Sequence, residues 1–351
     1  MTNSLDLRCW VLSDGDKVGS YNQGLGLAQA LGLPLELKKM YPRFPWSHIP
    51  ARFWFAALSS QSARGDTLAP PWPDVIISIG RASAAPAVAI RKRTGCFTIC
   101  LMNPRISLDN YDVVIAPVHD GLTGPNVINT RGPLHLLTDQ SLQEAATHIL
   151  PLLTGLPRPY HAVLLGGHNI HGMYTPAFME TIAQNLITIL QHYGGTLLIT
   201  PSRRTPKELV MLLHQRLEGH SFVLWEKQEL NPYQGFLGVA DAVFVIGDSV
   251  SMSGEACFTG KPVFIIEPPF TNNHKKFTAF LNSLYQHRHA QAFSEQNLPP
   301  LGYTTTRLDE MGGIVSALRG FMAGHPALRD STCISVSKGT ARSAELLNLS
   351  S

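Results

Sequence analysis

Short apolar runs alternate with longer segments of helical spacing along most of the chain. In the first half the runs are LRCWVLS (7–13), PLELKK (34–39), DVIISIG (74–80), CFTICLM (96–102) and DVVIAP (112–117). Between them lie NQGLGLAQALG (22–32) and ASAAPAVAIRKRTG (82–95), and SLQEAATHILPLL (141–153) closes that half. This alternation predicts parallel strands joined by crossover helices.

The stretch TGLPRPY (154–160) holds a glycine and two prolines, where neither helix nor strand continues easily, and reads as a linker. The alternation then restarts with strands at 161–167, 196–202, 221–226, 241–247 and 262–266, and helices at 176–195, 205–217 and 254–260. Further helical segments are expected at 272–286 and 309–323. The fold class predicted is α/β, two Rossmann-like domains with parallel sheets facing across a cleft. Their expected spans are 1–155 and 156–330, with a Ser-rich, loosely packed tail at 331–351.

Composition narrows the function classes. The 351 residues suffice for two cores, and with 44% hydrophobic and 15% charged residues the chain is expected to fold. A net charge of +3 gives no broad basic face, so nucleic acid is not an expected partner. Five scattered cysteines without a Cys-x-x-Cys pair predict neither disulfides nor zinc, and hence the cytoplasm. No apolar run reaches the roughly 20 residues of a membrane span, and the N-terminus lacks an export signal. One region breaks the pattern: residues 38–58 combine six aromatics with Lys38, Lys39, Arg43 and Arg52. That mixture suits either a packed loop or peripheral contact with anionic headgroups at the inner face of a membrane.

Ligands of open parallel sheets bind beyond the C-terminal ends of the strands, so the chemistry is sought there. The loop after the first strand, SDGDKVGSYNQGLG (13–26), carries Asp14, Asp16, Lys17, Asn22 and Gln23, yet meets neither the P-loop nor the dinucleotide pattern. The third strand ends at Arg81, beside a helix N-terminus able to attract an anion. The fifth ends at His119 and Asp120, which suit either a general base or a structural role. In the second half, Gly166 and Gly167 permit a close backbone approach, whether to a diphosphate or within a tight turn. His168 and His171 lack a third ligand, so no metal is expected. TPSRRTP (200–206) places Arg203 and Arg204 after a strand, with Thr205-Pro206 as N-cap and first helical turn, an arrangement suited to phosphate. GDSVSMSGEACFTGKPV (247–263) follows with Ser249, Ser251 and Ser253 at a helix start. Glu255 in that helix suits a sugar diol, since a carboxylate accepts two hydrogen bonds. It suits equally a first-turn acid held by the helix dipole.

SDGDKVGSYNQGLGLAQAL, PDVIISIGRASA, APVHDG, LLGG, TPSRRTP, NPYQGFLGVADA and GDSVSMSGEACFTGKPV, in this order, resemble the mitochondrial-fission Elm family over roughly residues 8–285. Gly254 stands where that family usually has Ser. The family in turn is similar in architecture to the GT-B glycosyltransferases, in which a Glu corresponding to Glu255 holds the nucleotide ribose. The resemblance implies a glycosyltransferase that takes a nucleoside-diphosphate sugar and a lipid-linked or glycan acceptor. Gly166, Gly167, Arg203, Arg204, Ser249, Ser251 and Glu255 would form the donor side. The catalytic base would be Asp14, Asp16 or Asp120, and Lys17, Asn22, Gln23, Arg81 and His119 are further cleft candidates. No cofactor or metal is required if arginines and helix dipoles stabilise the leaving diphosphate. Inversion and retention are both compatible with these residues. The resemblance also admits two alternatives, a non-catalytic membrane adaptor that recruits a partner protein and a sugar-nucleotide epimerase.

Overall fold

The computed structural model describes residues 7–168, 174–226, 231–269, 274–295, 298 and 301–328. The tail expected at 331–351 lies outside the described residues. Two compact units are present, one of residues up to Leu136 together with the segment from Glu310, the other Leu137–Asp309.

In the first unit β1 (Cys9–Asp14), α1 (Val18–Leu31), β2 (Leu35–Met40), β3 (Val75–Ile79), α2 (Arg81–Thr94), β4 (Phe97–Leu101), β5 (Val113–Pro117) and β6 (Val127–Thr130) follow one another. The sheet order is β2-β1-β3-β4-β5-β6, with every neighbouring pair parallel. β3 and β4 are buried at every residue, as strands covered on both faces must be. Helices α1 and α2 both end at a left-handed glycine, Gly32 and Gly95, each with φ 72°. There a side chain would be strained, and the turn recovers orphan carbonyls. The chain pairs β1 with β2 on one side and then crosses to β3 on the other, so the switch point lies between β1 and β3.

The second unit contains α3 (Asp139–Ile149), β7 (Tyr160–Leu165), α4 (Pro176–Tyr193), β8 (Thr196–Pro201), α5 (Lys207–Arg216), β9 (Phe222–Leu224), α6 (Tyr233–Val239), β10 (Ala242–Ile246), α7 (Val250–Phe258), β11 (Val263–Ile266), α8 (Lys275–Gln286) and β12 (Gln291–Ala292). Its parallel sheet has the order β12-β11-β10-β7-β8-β9. Here the switch point lies between β7 and β10. The predicted α/β class with two parallel-sheet domains is what the structure has.

The unit boundaries differ from the sequence expectation, for packing reasons. Helix α3 does not close the first half: it packs on α6, where a Cβ at Gly235 would stand 2.1 Å from the Ile149 side chain and one at Gly238 2.5 Å from the Leu142 carbonyl. These glycines let the two helices approach, and Leu142 and Ile149 join the second unit's core. The 154–160 stretch therefore lies inside that unit, where Thr196 donates to the Pro157 carbonyl at 2.7 Å and Arg158 pairs with Asp241 at 2.9 Å. In the other direction α9 (Met311–Gly324) returns to the first unit and buries Ile314, Val315, Leu318 and Met322 in its core. At its start the Glu310 carboxylate accepts from the backbone amides of Arg131 and Gly132, each at 2.9 Å.

Candidate functional site

The second unit's switch point is built from four chain segments. β10 is wholly buried, and its apolar run ends in Gly247-Asp248-Ser249. Ser249 caps α7, accepting from the Met252 amide. Asp248, 7% exposed, sits beside the end of β7. One of its carboxylate oxygens accepts from the Gly167 amide at 3.0 Å, the other from the Tyr174 hydroxyl at 3.2 Å. An Arg204 amino group stands 3.7 Å away. Burial pushes the Asp248 carboxyl above its ordinary value against the opposing pull of the Gly167 amide, Arg204 and Tyr174.

The two glycines are explained by these neighbours. A Cβ on Gly166 would meet the Asp248 carboxylate oxygen at 1.6 Å, and one on Gly167 the Arg204 carbonyl carbon at 2.2 Å. The close approach that needs glycine is thus an approach of the protein to itself. The turn after β8 is stapled to the same place, because the Thr205 hydroxyl donates to the Gly166 carbonyl and accepts from the Ser202 amide at 2.9 Å. Thr205 therefore does not cap α5 as expected. That helix begins at Lys207 after Pro206, with no side-chain cap.

Arg203 and Arg204, adjacent in sequence, have different tasks. Arg204 donates to the carbonyls of Gly167 at 3.3 Å and His168 at 3.0 Å while facing Asp248, so its charge is spent internally. Arg203 is exposed and has no hydrogen bond or ion pair among the described residues. His168 accepts at Nδ1 from the Tyr174 amide, and His171 lies outside the described residues.

Glu255 occupies the second turn of α7, one turn beyond Ser251 on the same face. One oxygen accepts from the Tyr233 hydroxyl at 2.5 Å, and the other has no partner among the described residues. Burial raises its carboxyl from 4.5 to about 7, the Tyr233 hydrogen bond opposing the rise. Tyr233 is the first residue of α6. The other end of α6 is fixed by Lys261, whose ammonium donates to the Leu237 and Gly238 carbonyls at 2.6 Å each. Burial lowers Lys261 to about 8.

In the first unit the structure disperses most of the candidates. Asp14 ends β1 at the switch point and accepts from Lys17 at 2.6 Å. A Cβ on Gly80, at φ 85°, would stand 2.8 Å from its own Cβ. Asp16 is exposed and paired with Arg64 at 2.5 Å and Lys39 at 3.5 Å. Tyr41 hydrogen bonding and these cations hold its carboxyl below the ordinary value. Gln23 donates back to the Gly19 carbonyl at 3.2 Å, and Asn22 lies half-buried on α1. Arg81 is not left for an anion, since it donates to the carbonyls of Ser47 at 2.6 Å and Ile49 at 3.3 Å. His119 and Asp120 lie in a short 3-10 turn after β5, half-buried and partnered within the protein.

The geometry thus gathers Gly166, Gly167, Arg204 and Ser249 at one switch point, with Arg203 on the adjoining turn and Ser251 and Glu255 along α7. Sequence reasoning missed Asp248, Tyr174 and Tyr233. An Asp directly after the β10 apolar run was a usable signal, while the two tyrosines are recognisable only from tertiary contacts. Among the described residues, no helix is long and apolar enough to cross a membrane.

Comparison with known proteins agrees with this architecture. The UDP-GlcNAc 2-epimerase of Methanocaldococcus jannaschii, solved in complex with UDP-GlcNAc and UDP, superposes with a TM-score of 0.50 at 11% identity, covering 89% of this chain and 99% of that one. The uncharacterized protein RP120 of Rickettsia prowazekii is 24% identical over 330 residues, 82% of this chain and 91% of that protein. The mitochondrial fission protein ELM1 of Arabidopsis thaliana is 30% identical over 220 residues, 55% of this chain. The match spans 51% of the Arabidopsis protein's length. The profile described as Mitochondrial fission ELM1 matches residues 18–320, and the chain belongs to that family.

Proposed function

We propose that the second unit binds a nucleoside-diphosphate sugar and that the protein is a glycosyltransferase using it as donor. The observation that carries this reading is Glu255, a half-buried carboxylate with one oxygen held by Tyr233 and the other without a partner among the described residues. A ribose diol supplies the two donors that such a group accepts. Arg203 takes the diphosphate, as the cation of its turn not already committed to the protein. Ser251 lies on the same face of α7 as Glu255, and Arg204 with Asp248 holds the supporting turns. The UDP-bound epimerase of shared fold supports the ligand class, though not the reaction.

Among the first unit's candidates Asp14, which meets one cation, Lys17, where Asp16 meets two, is the preferred base. Asp16 is tied to two cations with its carboxyl held low, which makes it a poor proton acceptor. In the transfer, the acceptor hydroxyl gives its proton to a general base and its oxygen bonds to the anomeric carbon. The bond from that carbon to the diphosphate breaks, and Arg203 stabilises the departing charge. The acceptor class is a lipid-linked or envelope glycan. A non-catalytic adaptor is the second reading, favoured by the exposed Phe44, Phe53 and Phe55 of the first unit.

Calorimetric titration of the full chain with UDP and other nucleoside diphosphates tests the proposal. Binding that is weakened about tenfold or more by Glu255→Ala is expected, from loss of hydrogen bonds to a charged group. A wild-type protein that binds none of them refutes it and leaves the adaptor. Release of free nucleoside diphosphate in the presence of acceptor separates transfer from epimerisation.

A further inference from the structure

The long connection from β2 to β3 builds a surface unlike the rest of the molecule. Phe44, Phe53 and Phe55 are 77%, 61% and 62% exposed within twelve residues, whereas the other large exposed apolar side chains, Val118, Leu150, Leu152, Met211 and Phe321, are spread along the chain. Clustered apolar exposure of this kind marks an interaction site.

The exposure is held in place by the surrounding structure. Trp46 donates its indole N–H to the Phe55 carbonyl at 2.7 Å, Trp54 donates to Ile49 at 3.0 Å, and Arg81 donates to Ser47 at 2.6 Å. With both indole donors and the Arg81 guanidinium satisfied by backbone carbonyls, the loop is fixed with its phenyl rings outward.

The charge carried by the loop itself has one sign. Residues 41–65 contain Arg43, Arg52 and Arg64 and no Asp or Glu. Arg64 is neutralised by Asp16, but Arg43, Arg52 and Lys92 have no ion pair among the described residues. Arg43 lies over the Trp46 ring at 5.3 Å and Arg52 over the Phe53 ring at 4.8 Å. Cations carried on aromatic faces beside exposed apolar rings are suited to a boundary that is apolar on one side and anionic on the other.

Between this loop and α2 lies a cavity of about 480 Å³ with walls from Trp54, Ala85, Val88 and Ile106, and with Arg52 and Lys92 also lining it. The alanines on that face of α2 leave the room that larger side chains would have filled. A soluble anion would use the cations but not the three rings. A lipid in a bilayer uses the cations, the rings and the cavity.

We propose that this face of the first unit docks on an anionic lipid bilayer. Phe44, Phe53 and Phe55 enter the interfacial apolar layer, Arg43, Arg52 and Lys92 meet lipid phosphates, and an acyl chain enters the cavity beside α2. The proposal does not rest on nucleotide binding by the second unit, so a failed vesicle assay and a failed nucleotide titration are separate outcomes.

Co-sedimentation of the full chain with phosphatidylcholine vesicles, with and without phosphatidylglycerol, is the test. Binding is expected only where phosphatidylglycerol is present, weakening as salt shortens the Debye length toward about 3 Å. The triple variant Phe44→Ser, Phe53→Ser, Phe55→Ser is expected to bind about tenfold more weakly or worse, from loss of apolar insertion. The triple variant Arg43→Gln, Arg52→Gln, Lys92→Gln is expected to lose the preference for phosphatidylglycerol. All six side chains are exposed, and an unchanged melting temperature reports that each variant folds. A wild type that does not sediment with phosphatidylglycerol vesicles, one that binds both vesicles equally, or a serine variant that binds like wild type overturns the proposal.

Discussion

Replacing Glu255 with glutamine separates the cost of its charge from its use. In the folded protein the carboxyl titrates near 7, against 4.5 for an ordinary glutamate. Its folded value is raised, so between these two values the native state holds a proton that the unfolded chain has released. Stability therefore falls as pH rises from 4.5 to about 7 and stays at the lower level above it. At about 1.4 kcal/mol for each tenfold change in proton affinity, the wild-type charge costs ~1–3 kcal/mol above pH 7. The lower end of that range reflects the solvent that still reaches this half-buried side chain. Glutamine keeps an oxygen to accept from Tyr233 and carries no charge. Glu255→Gln is thus expected to raise stability by ~1–3 kcal/mol at slightly alkaline pH and to leave it nearly unchanged near the ordinary glutamate value. The same variant is expected to bind nucleoside diphosphates about ten to a hundred times more weakly, because hydrogen bonds to a charged group are each worth ~1.5–3 kcal/mol. Urea unfolding across this pH range, beside calorimetric titration of UDP, measures both. A stability difference that does not change with pH would refute the assignment of a carboxyl raised to about 7 by burial. Retained affinity would refute its role in binding.

The neighbouring arginines supply a paired test: Arg203→Ala is expected to weaken nucleotide binding about tenfold or more with little change in melting temperature, since the side chain is exposed and makes no hydrogen bond or ion pair among the described residues. Arg204→Ala is expected to lower the melting temperature, because it removes the donors to Gly167 and His168 and the cation facing the buried Asp248. Interchanged results would reverse the two roles. Gly166→Ala is expected to destabilise by ~1–3 kcal/mol or more through the clash with Asp248. Adding Asp248→Ala should recover part of that loss in urea melts, and strictly additive losses would refute the direct contact.

Much of the fold was legible because parallel strands buried on both faces appear as short unbroken apolar runs. β10 and β7 are clear cases. The unit boundary was less so. The stretch 154–160 has the composition of a linker, yet the division falls before α3, whose apolar stripe is shared with α6. Helix α6 itself was missed because Gly235 and Gly238 weaken its helical signal, and only the presence of α3 explains them. The return of α9 depends on long-range packing that no local pattern encodes. At the site, Glu255 stood out as a lone carboxylate among small residues. Arg203 and Arg204 could not be told apart, since identical side chains at adjacent positions differ here solely in tertiary partners. Arg81 likewise looked like an anion-binding group until the carbonyls of Ser47 and Ile49 accounted for it.

The contact between Gly166 and Asp248 imposes an order on how this sequence can change over evolutionary time. A side chain cannot be accepted at position 166 while the carboxylate is in place, because its first carbon would fall on the carboxylate oxygen. If Asp248 is lost first, that space opens and drift at 166 becomes harmless. Once 166 has drifted, restoring the aspartate is blocked, so the two positions act as a ratchet. Among descendants of this chain, a bulkier residue at 166 would identify a lineage that has already given up the buried acid and with it the clasp on Tyr174 and Arg204.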